Sequence, residues 1–190
     1  MSSSHAMSTA SVRRGRKEND YSLEHGFRLL SAYRTNAGET TVLNALATEI
    51  PDDERIFIIE DTAEIRLNKP HVVSSESQSN MHKMEISFDT LLKAALRHRP
   101  DRIILGEVRG AEARTLLDAM NTGHDGTLTT IHASSPAGAL RRLAALAMRT
   151  SGQITVRDAE EEVRISIGVV LQIARLGRQR TVIAAQTLPA

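Results

Sequence analysis

Glu60, Asp61 and Glu64 fall within "IIEDTAE", Glu107 within "ILGEVRG" and His132 within "TTIHASS", and each of these stretches stands at the end of an expected strand. Carboxylates gathered with a hydroxyl such as that of Thr40 are hard oxygen donors. Mg²⁺ favours such donors, because it keeps several waters and shares its shell with phosphate. A carboxylate in the position of Glu107 also orients or deprotonates a water, and a histidine such as His132 donates to a phosphate oxygen. Taken singly, each residue has a plainer reading. An acidic residue at a strand end is often a solvated loop residue or a helix-cap partner, and a lone histidine a structural hydrogen-bonder. Arg97, Arg99, Arg102 and Arg109 form a solvated basic cluster around a turn, or else meet phosphate or a neighbouring subunit's carboxylate. The joint occurrence at three separate strand ends favours the chemical reading.

The elements that must position these residues are legible as alternating patterns. "RIFIIE" and "RIIL" are short continuous apolar runs, which suit strands buried on both faces. "GTLTTIHA" is strand-like, and a short strand is expected at His71 to Val73. Between them lie helical stripes: Val42, Leu43 and Leu46 from Thr40 onward; Leu91, Leu92, Ala95 and Leu96; and Ala113, Leu116, Leu117 and Met120. Ser135 and Pro136 provide an N-cap and first-turn proline for a helix through "SSPAGALRRLAALAM". The end, "ISIGVVLQIARLGRQRTVIAAQ", reads as two strands joined near Gly177. Strands alternating with helices predict an α/β fold with a mostly parallel sheet, helices on both faces and a small C-terminal β hairpin. In such sheets ligands sit at the carboxyl ends of the strands, where the acidic residues and His132 would converge.

The stretch "SAYRTNAGETTVLNAL" is the place where that edge would need a phosphate loop, GxxxxGK(S/T). Gly38, Thr40 and Thr41 suit the end of such a loop, but Tyr33 stands at the first-glycine position and Glu39 at the lysine position. A unit charge about 4 Å from a phosphate charge is worth roughly 4 kcal/mol at an effective dielectric near 20. Exchanging attraction for repulsion therefore costs several kcal/mol, and each ~1.4 kcal/mol is tenfold in affinity. Tyr33, Arg34 and Asn36 add side chains where backbone must approach phosphate closely.

The 190-residue chain suits one domain, expected at 29–190, after a Ser-rich and then basic tail at 1–28 that buries too little to order itself. A formal charge of +1 and 3% aromatic residues argue against a specific nucleic-acid partner. The absence of cysteine excludes disulfides, thiolate metal sites and a cysteine nucleophile. No apolar run is long enough for a transmembrane segment and no secretory signal is present, so a cytoplasmic protein is expected.

"RPDRIILGEVRGAEARTLLDAMNTGHDGTLTTIHASSPAGALRRLAALAM" closely resembles the core of the type II/type IV secretion, conjugation and pilus-assembly ATPases, with the resemblance running from about Thr40 to the C-terminus. It implies a RecA-like P-loop NTPase core, acting on ATP with Mg²⁺. It also implies assembly as a homo-hexamer, peripheral at the inner membrane beside secretion or pilus platform proteins. "IEDTAEI" resembles the family's acidic box, which assigns Glu60, Asp61 and Glu64 to Mg²⁺ and water positioning. "IILGE" resembles its Walker B strand, making Glu107 the candidate base or metal-side carboxylate. "TGHDGTLTTIHASS" is similar to its histidine box, placing His124 and His132 near the γ-phosphate and the subunit boundary. Thr40 matches the hydroxyl that holds Mg²⁺ together with Glu107, and Glu64, Glu107 and His132 are the expected catalytic set. Arg97 and Arg109 are candidate subunit-contact or phosphate arginines.

Two departures accompany the resemblance. The family's N-terminal domain has no visible counterpart in residues 1–38, and the phosphate loop Gly38–Thr41 is degenerate. Both suggest weak nucleotide binding, a non-hydrolysing component or regulator, or a frame-disrupted gene in which residues 1–38 are not the ancestral reading.

Overall fold

The computed structural model describes residues 28–33, 39–78, 86–150, 152, 154–177 and 179–188. The chain order is β1 (Leu29–Tyr33), α1 (Glu39–Ala47), β2 (Ile56–Glu60), β3 (Val72–Glu76), α2 (Phe88–Leu96), β4 (Arg102–Leu105), α3 (Glu112–Asn121), β5 (Leu128–His132), α4 (Pro136–Met148), α5 (Val156–Ser166), β6 (Val169–Leu176) and β7 (Gln179–Thr187). Gly38, Arg34, Asn36 and the expected tail through residue 27 lie outside the described residues.

One seven-stranded sheet runs in the order β3-β2-β4-β5-β1-β6-β7. The strands from β3 to β6 are parallel, and β7 folds back antiparallel on β6. This is the expected RecA-like architecture with its C-terminal hairpin. Because the side-chain period of a strand is two, the sheet sorts its residues onto two faces. Leu30, Ala32, Phe57, Ile59, Ile103 and Leu105 pack in one core beneath α2, α3, α4 and α5. Leu29, Ile56, Ile58, Ile104 and Leu128 pack on the other face with Leu43 and Ala47 of α1. Each fully buried aliphatic side chain contributes about 1.5–3 kcal/mol relative to exposure.

Local sequence explains most element ends. Ser135 caps α4 by accepting the Gly138 amide at 3.1 Å, with Pro136 in the first turn. Ser87 does the same for α2 at the Thr90 amide, 3.2 Å away. Gly123 adopts a φ of 100° just beyond α3, a conformation available to glycine at little cost.

Two elements depart from the sequence expectation. β1 was not visible as a strand, because "LLSAY" is short and carries two polar groups; it is nevertheless buried throughout, between β5 and β6. Ile165 and Ser166, expected at the start of a strand, end α5 instead. That helix is mostly charged. Its stripe is only Ala159, Val163 and Ser166, opened by a Thr155 cap on the Asp158 amide.

Parallel pairing sends the carboxyl ends of β1, β2, β4 and β5 to one edge. Tyr33 stands opposite His132 in register, and Ile59, one residue before Glu60, stands opposite Leu105.

Candidate active site

The acidic segment begins at the end of β2 with Glu60, which is only 5% exposed. Its Oε1 accepts the amides of Glu64 at 3.2 Å and Ile65 at 3.0 Å. Burial pushes its carboxyl above the usual range, and the two amides offset that only in part. Glu64 is exposed, and its Oε2 accepts the Thr40 hydroxyl of α1 at 2.6 Å. One turn further along α1, Asn44 Oδ1 accepts the Arg66 amide at 2.8 Å, while Asn44 Nδ2 donates to the Glu64 carbonyl at 3.4 Å.

Glu107 follows β4 and is 8% exposed. Its Oε1 lies 3.2 Å from His132 Nε2 at the end of β5. Its Oε2 accepts Arg109 Nε at 2.7 Å and Nη2 at 2.6 Å. Arg109 Nη1 donates to Asp61 Oδ2 at 2.8 Å, so one guanidinium joins the acidic segment to the carboxylate after β4. Hydrogen bonding to Glu107 holds that guanidinium charged, its pKa raised above an already high value. The backbone of this turn is fixed as well, since Glu112 Oε1 accepts the amides of Arg109 at 2.5 Å and Gly110 at 2.7 Å. Thr130 ties β5 to the end of β4 by donating to the Gly106 carbonyl at 2.5 Å and accepting the Val108 amide at 2.9 Å. A Cβ at Gly106 would stand 3.4 Å from Glu60 Cγ and from the Ile59 carbonyl, so a glycine lets the two strand ends pass closely.

Tyr33 ends β1 at 1% exposure. Its ring centroid lies 4.2 Å from that of His132, tilted by 57°. It packs with Val42 and Ile173. The residue that the sequence reading sets at the first-glycine position is thus a buried ring at the end of β1.

Most of the sequence-nominated residues come together. Thr40 meets Glu64, Glu60 lies beneath that segment, and Asp61, Glu107 and His132 are joined through Arg109. Glu39 opens α1 and Thr41 is exposed beside it, with Gly38 outside the described residues. His124 and Arg97 do not join the group. Arg97 caps the end of α2 before β4, and His124 sits before β5 with its Nδ1 3.2 Å from the Ala119 carbonyl. Both therefore belong to the amino-terminal edge of the sheet. β5 alone separates that edge from His132 by its five residues, at about 3.3 Å rise each. Asn44 and Thr130 escaped the sequence reading. A polar residue four positions after Thr40 on one helix face was the available signal for Asn44.

The donor set bears on Mg²⁺ in a specific way. Among the described residues no group of three or more His, Asp or Glu side chains is disposed to hold a metal ion. Thr40 and Glu64 supply one hydroxyl and one carboxylate, a protein share that fits Mg²⁺ completed by water and phosphate. Glu107, expected as Thr40's partner in that role, has both oxygens engaged by His132 and Arg109.

The sequence model of the type II/IV secretion system protein family matches residues 19–187. The conjugal transfer protein TrbB of Rhizobium radiobacter is 41% identical over 152 residues, covering 78% of this chain and 44% of that protein. The type IV secretion system protein PtlH of Bordetella pertussis is 38% identical over 170 residues, covering 85% of this chain and 50% of that protein. The VirB11 ATPase from the Brucella suis type IV secretion system, solved in complex with sulphate, aligns with a TM-score of 0.79 at 29% identity, over 87% of this chain and 49% of that one. The chain thus spans about half the length of the relatives it matches. The family match starts ahead of Gly38, and β1 lies centrally in the sheet, so the similarity begins earlier than the Thr40 boundary read from the sequence. Matched over most of its length and carrying the expected carboxylates at one sheet edge, the chain belongs to the type II/IV secretion system protein family.

Proposed function

We propose that this chain is the nucleotide-handling part of an ATPase subunit of a type II/type IV secretion, conjugation or pilus-assembly machine, with turnover depressed by Glu39 and Tyr33. The observation that carries the reading is the convergence of Thr40–Glu64 and Glu107–His132 on the sheet edge beside α1. In this reading Thr40 and Glu64 hold Mg²⁺, which neutralises phosphate charge when bound. Glu107 orients the attacking water once Arg109 releases it, and His132 donates to a phosphate oxygen. The chain would act in a homo-hexameric ring, on the cytoplasmic side of the inner membrane against platform proteins, where His124 and Arg97 are free to serve subunit contacts. No helix among the described residues is long and apolar enough to cross a membrane.

A second reading, a non-hydrolysing ring component, is favoured by the Arg109 closure of Glu107 and by the glutamate at the lysine position. One comparison separates the two. ATP affinity by isothermal titration and phosphate release are measured for the native chain, Glu39→Lys, and Glu39→Lys with Glu107→Gln. The motor reading expects weak binding and almost no release from the native chain, release on restoring the lysine, and loss again with Glu107→Gln. Micromolar ATP affinity in the native chain would sink the impairment, and an inert Glu39→Lys chain would favour the ring component.

A further inference from the structure

Residues 61–70 contain no helix or strand, so the polar backbone groups there must find partners outside the strand ladders. Three consecutive amides, of Glu64, Ile65 and Arg66, find them in two side chains from different elements. Glu60, at the end of β2, takes the first two on one oxygen. Asn44, on α1, takes the third and returns a hydrogen bond to the Glu64 carbonyl. Thr40 lies on the same face of α1 as Asn44, one turn nearer the helix start, and it meets the Glu64 carboxylate.

We propose that Asn44 and Glu60 are positioning residues forming a two-sided clip that holds the Glu64 carboxylate on the Thr40 hydroxyl, so that Glu64, and not Glu60, is the carboxylate of this segment that faces the nucleotide. What Glu64 does there rests on the motor reading above; the clip itself does not. The two carboxylates differ in environment as the assignment requires. Glu60 is buried and holds two backbone amides on its Oε1, whereas Glu64 is exposed with its side chain toward α1. Asn44 suits its part because an amide both accepts and donates, and so closes on an N–H and a C=O of the same segment. The consequence is a mechanical link. The first turn of α1, where phosphate would bind, cannot shift without moving Glu64.

Amide hydrogen exchange on the full-length chain tests the clip without nucleotide. Asn44→Ala should speed exchange at Arg66 about tenfold or more, and Asn44→Asp, which keeps the acceptor, should restore protection there. Glu60→Gln keeps an acceptor oxygen and should protect Glu64 and Ile65, whereas Glu60→Ala should not. A readout of positioning comes from Thr40→Val. Its loss in melting temperature in the native chain should vanish in an Asn44→Ala background, where the Glu64 carboxylate no longer waits for the hydroxyl. Unchanged Arg66 exchange in Asn44→Ala, or an undiminished Thr40→Val effect in that background, overturns the clip. In a Glu39→Lys chain that releases phosphate, Asn44→Ala should lower kcat about tenfold with little change in KM; a change in KM alone argues against positioning. An inert Glu39→Lys chain counts against the motor reading, while the exchange rates still decide for or against the clip.

Discussion

Arg109 places two nitrogens on one oxygen of Glu107, at 2.6 and 2.7 Å, and its third on Asp61 at 2.8 Å. The guanidinium is half-exposed while the Glu107 side chain is 9% exposed, so the pair is neither a free surface contact nor a fully buried one. Removing the arginine leaves a nearly buried carboxylate with His132 as its remaining side-chain partner. Arg109→Ala is expected to lower stability by about 1–3 kcal/mol in urea unfolding at pH 7, the cost of losing a partner for a buried charged group. Arg109→Lys should recover less than half, since an ammonium is a point charge and lacks the fork that spans two carboxylates. An unchanged midpoint in both variants would show that the contact contributes nothing.

Tyr33 presents a trade. Its ring is buried against His132, Val42 and Ile173, so Tyr33→Gly should cost about 3–5 kcal/mol, as large-to-small aromatic truncations do. In the proposed reading the same change clears the first-glycine position of the phosphate loop. Added to Glu39→Lys, it should tighten ATP binding further while lowering the melting temperature. An unchanged melting temperature would contradict the packing of the ring, and unchanged ATP binding would contradict the reading of this position as the start of a phosphate loop.

Glu60 supplies a pH dependence with a definite sign. Its folded pKa is raised by burial, so in the window above the unfolded value, about 4.3, the folded state binds the extra proton. Its contribution to stability therefore declines as pH rises from about 4.3 through the raised value. Glu60→Gln accepts the same amides without a charge and should lose this decline. Melting temperatures of the two proteins between pH 4 and 8 should diverge in favour of Glu60→Gln as pH increases; parallel curves would contradict the burial effect.

Gly126 lies against the buried Arg102 side chain, which is paired with Glu54 and 3% exposed. A Cβ at this glycine would collide with the Arg102 side chain, which has little room to withdraw. Gly126→Ala is expected to destabilise the chain by about 1–3 kcal/mol in urea unfolding, the usual cost of overpacking. Circular dichroism should show the secondary structure retained.

What the sequence by itself determined was the part governed by local period and composition. Continuous apolar runs marked β2 and β4, a strand-like stretch marked β5, stripes of three and four marked α1, α2 and α3, Ser135 and Pro136 marked the start of α4, and the carboxyl-end rule brought Glu60, Glu107 and His132 to one edge. β1 escaped because "LLSAY" has no alternation to read; two flanking strands bury it, and that is a property of the sheet. α5 escaped because a narrow stripe among charges carries little signal until α3 and α4 pack on it. His124 and His132 stand eight residues apart in one motif, yet β5 runs between them and delivers them to opposite edges. Only the tertiary structure decided where Arg109 and Asn44 point. Their partners lie 48 and 22 residues away in sequence, and such hydrogen bonds depend on the spacing of separate backbone segments, which no local pattern encodes.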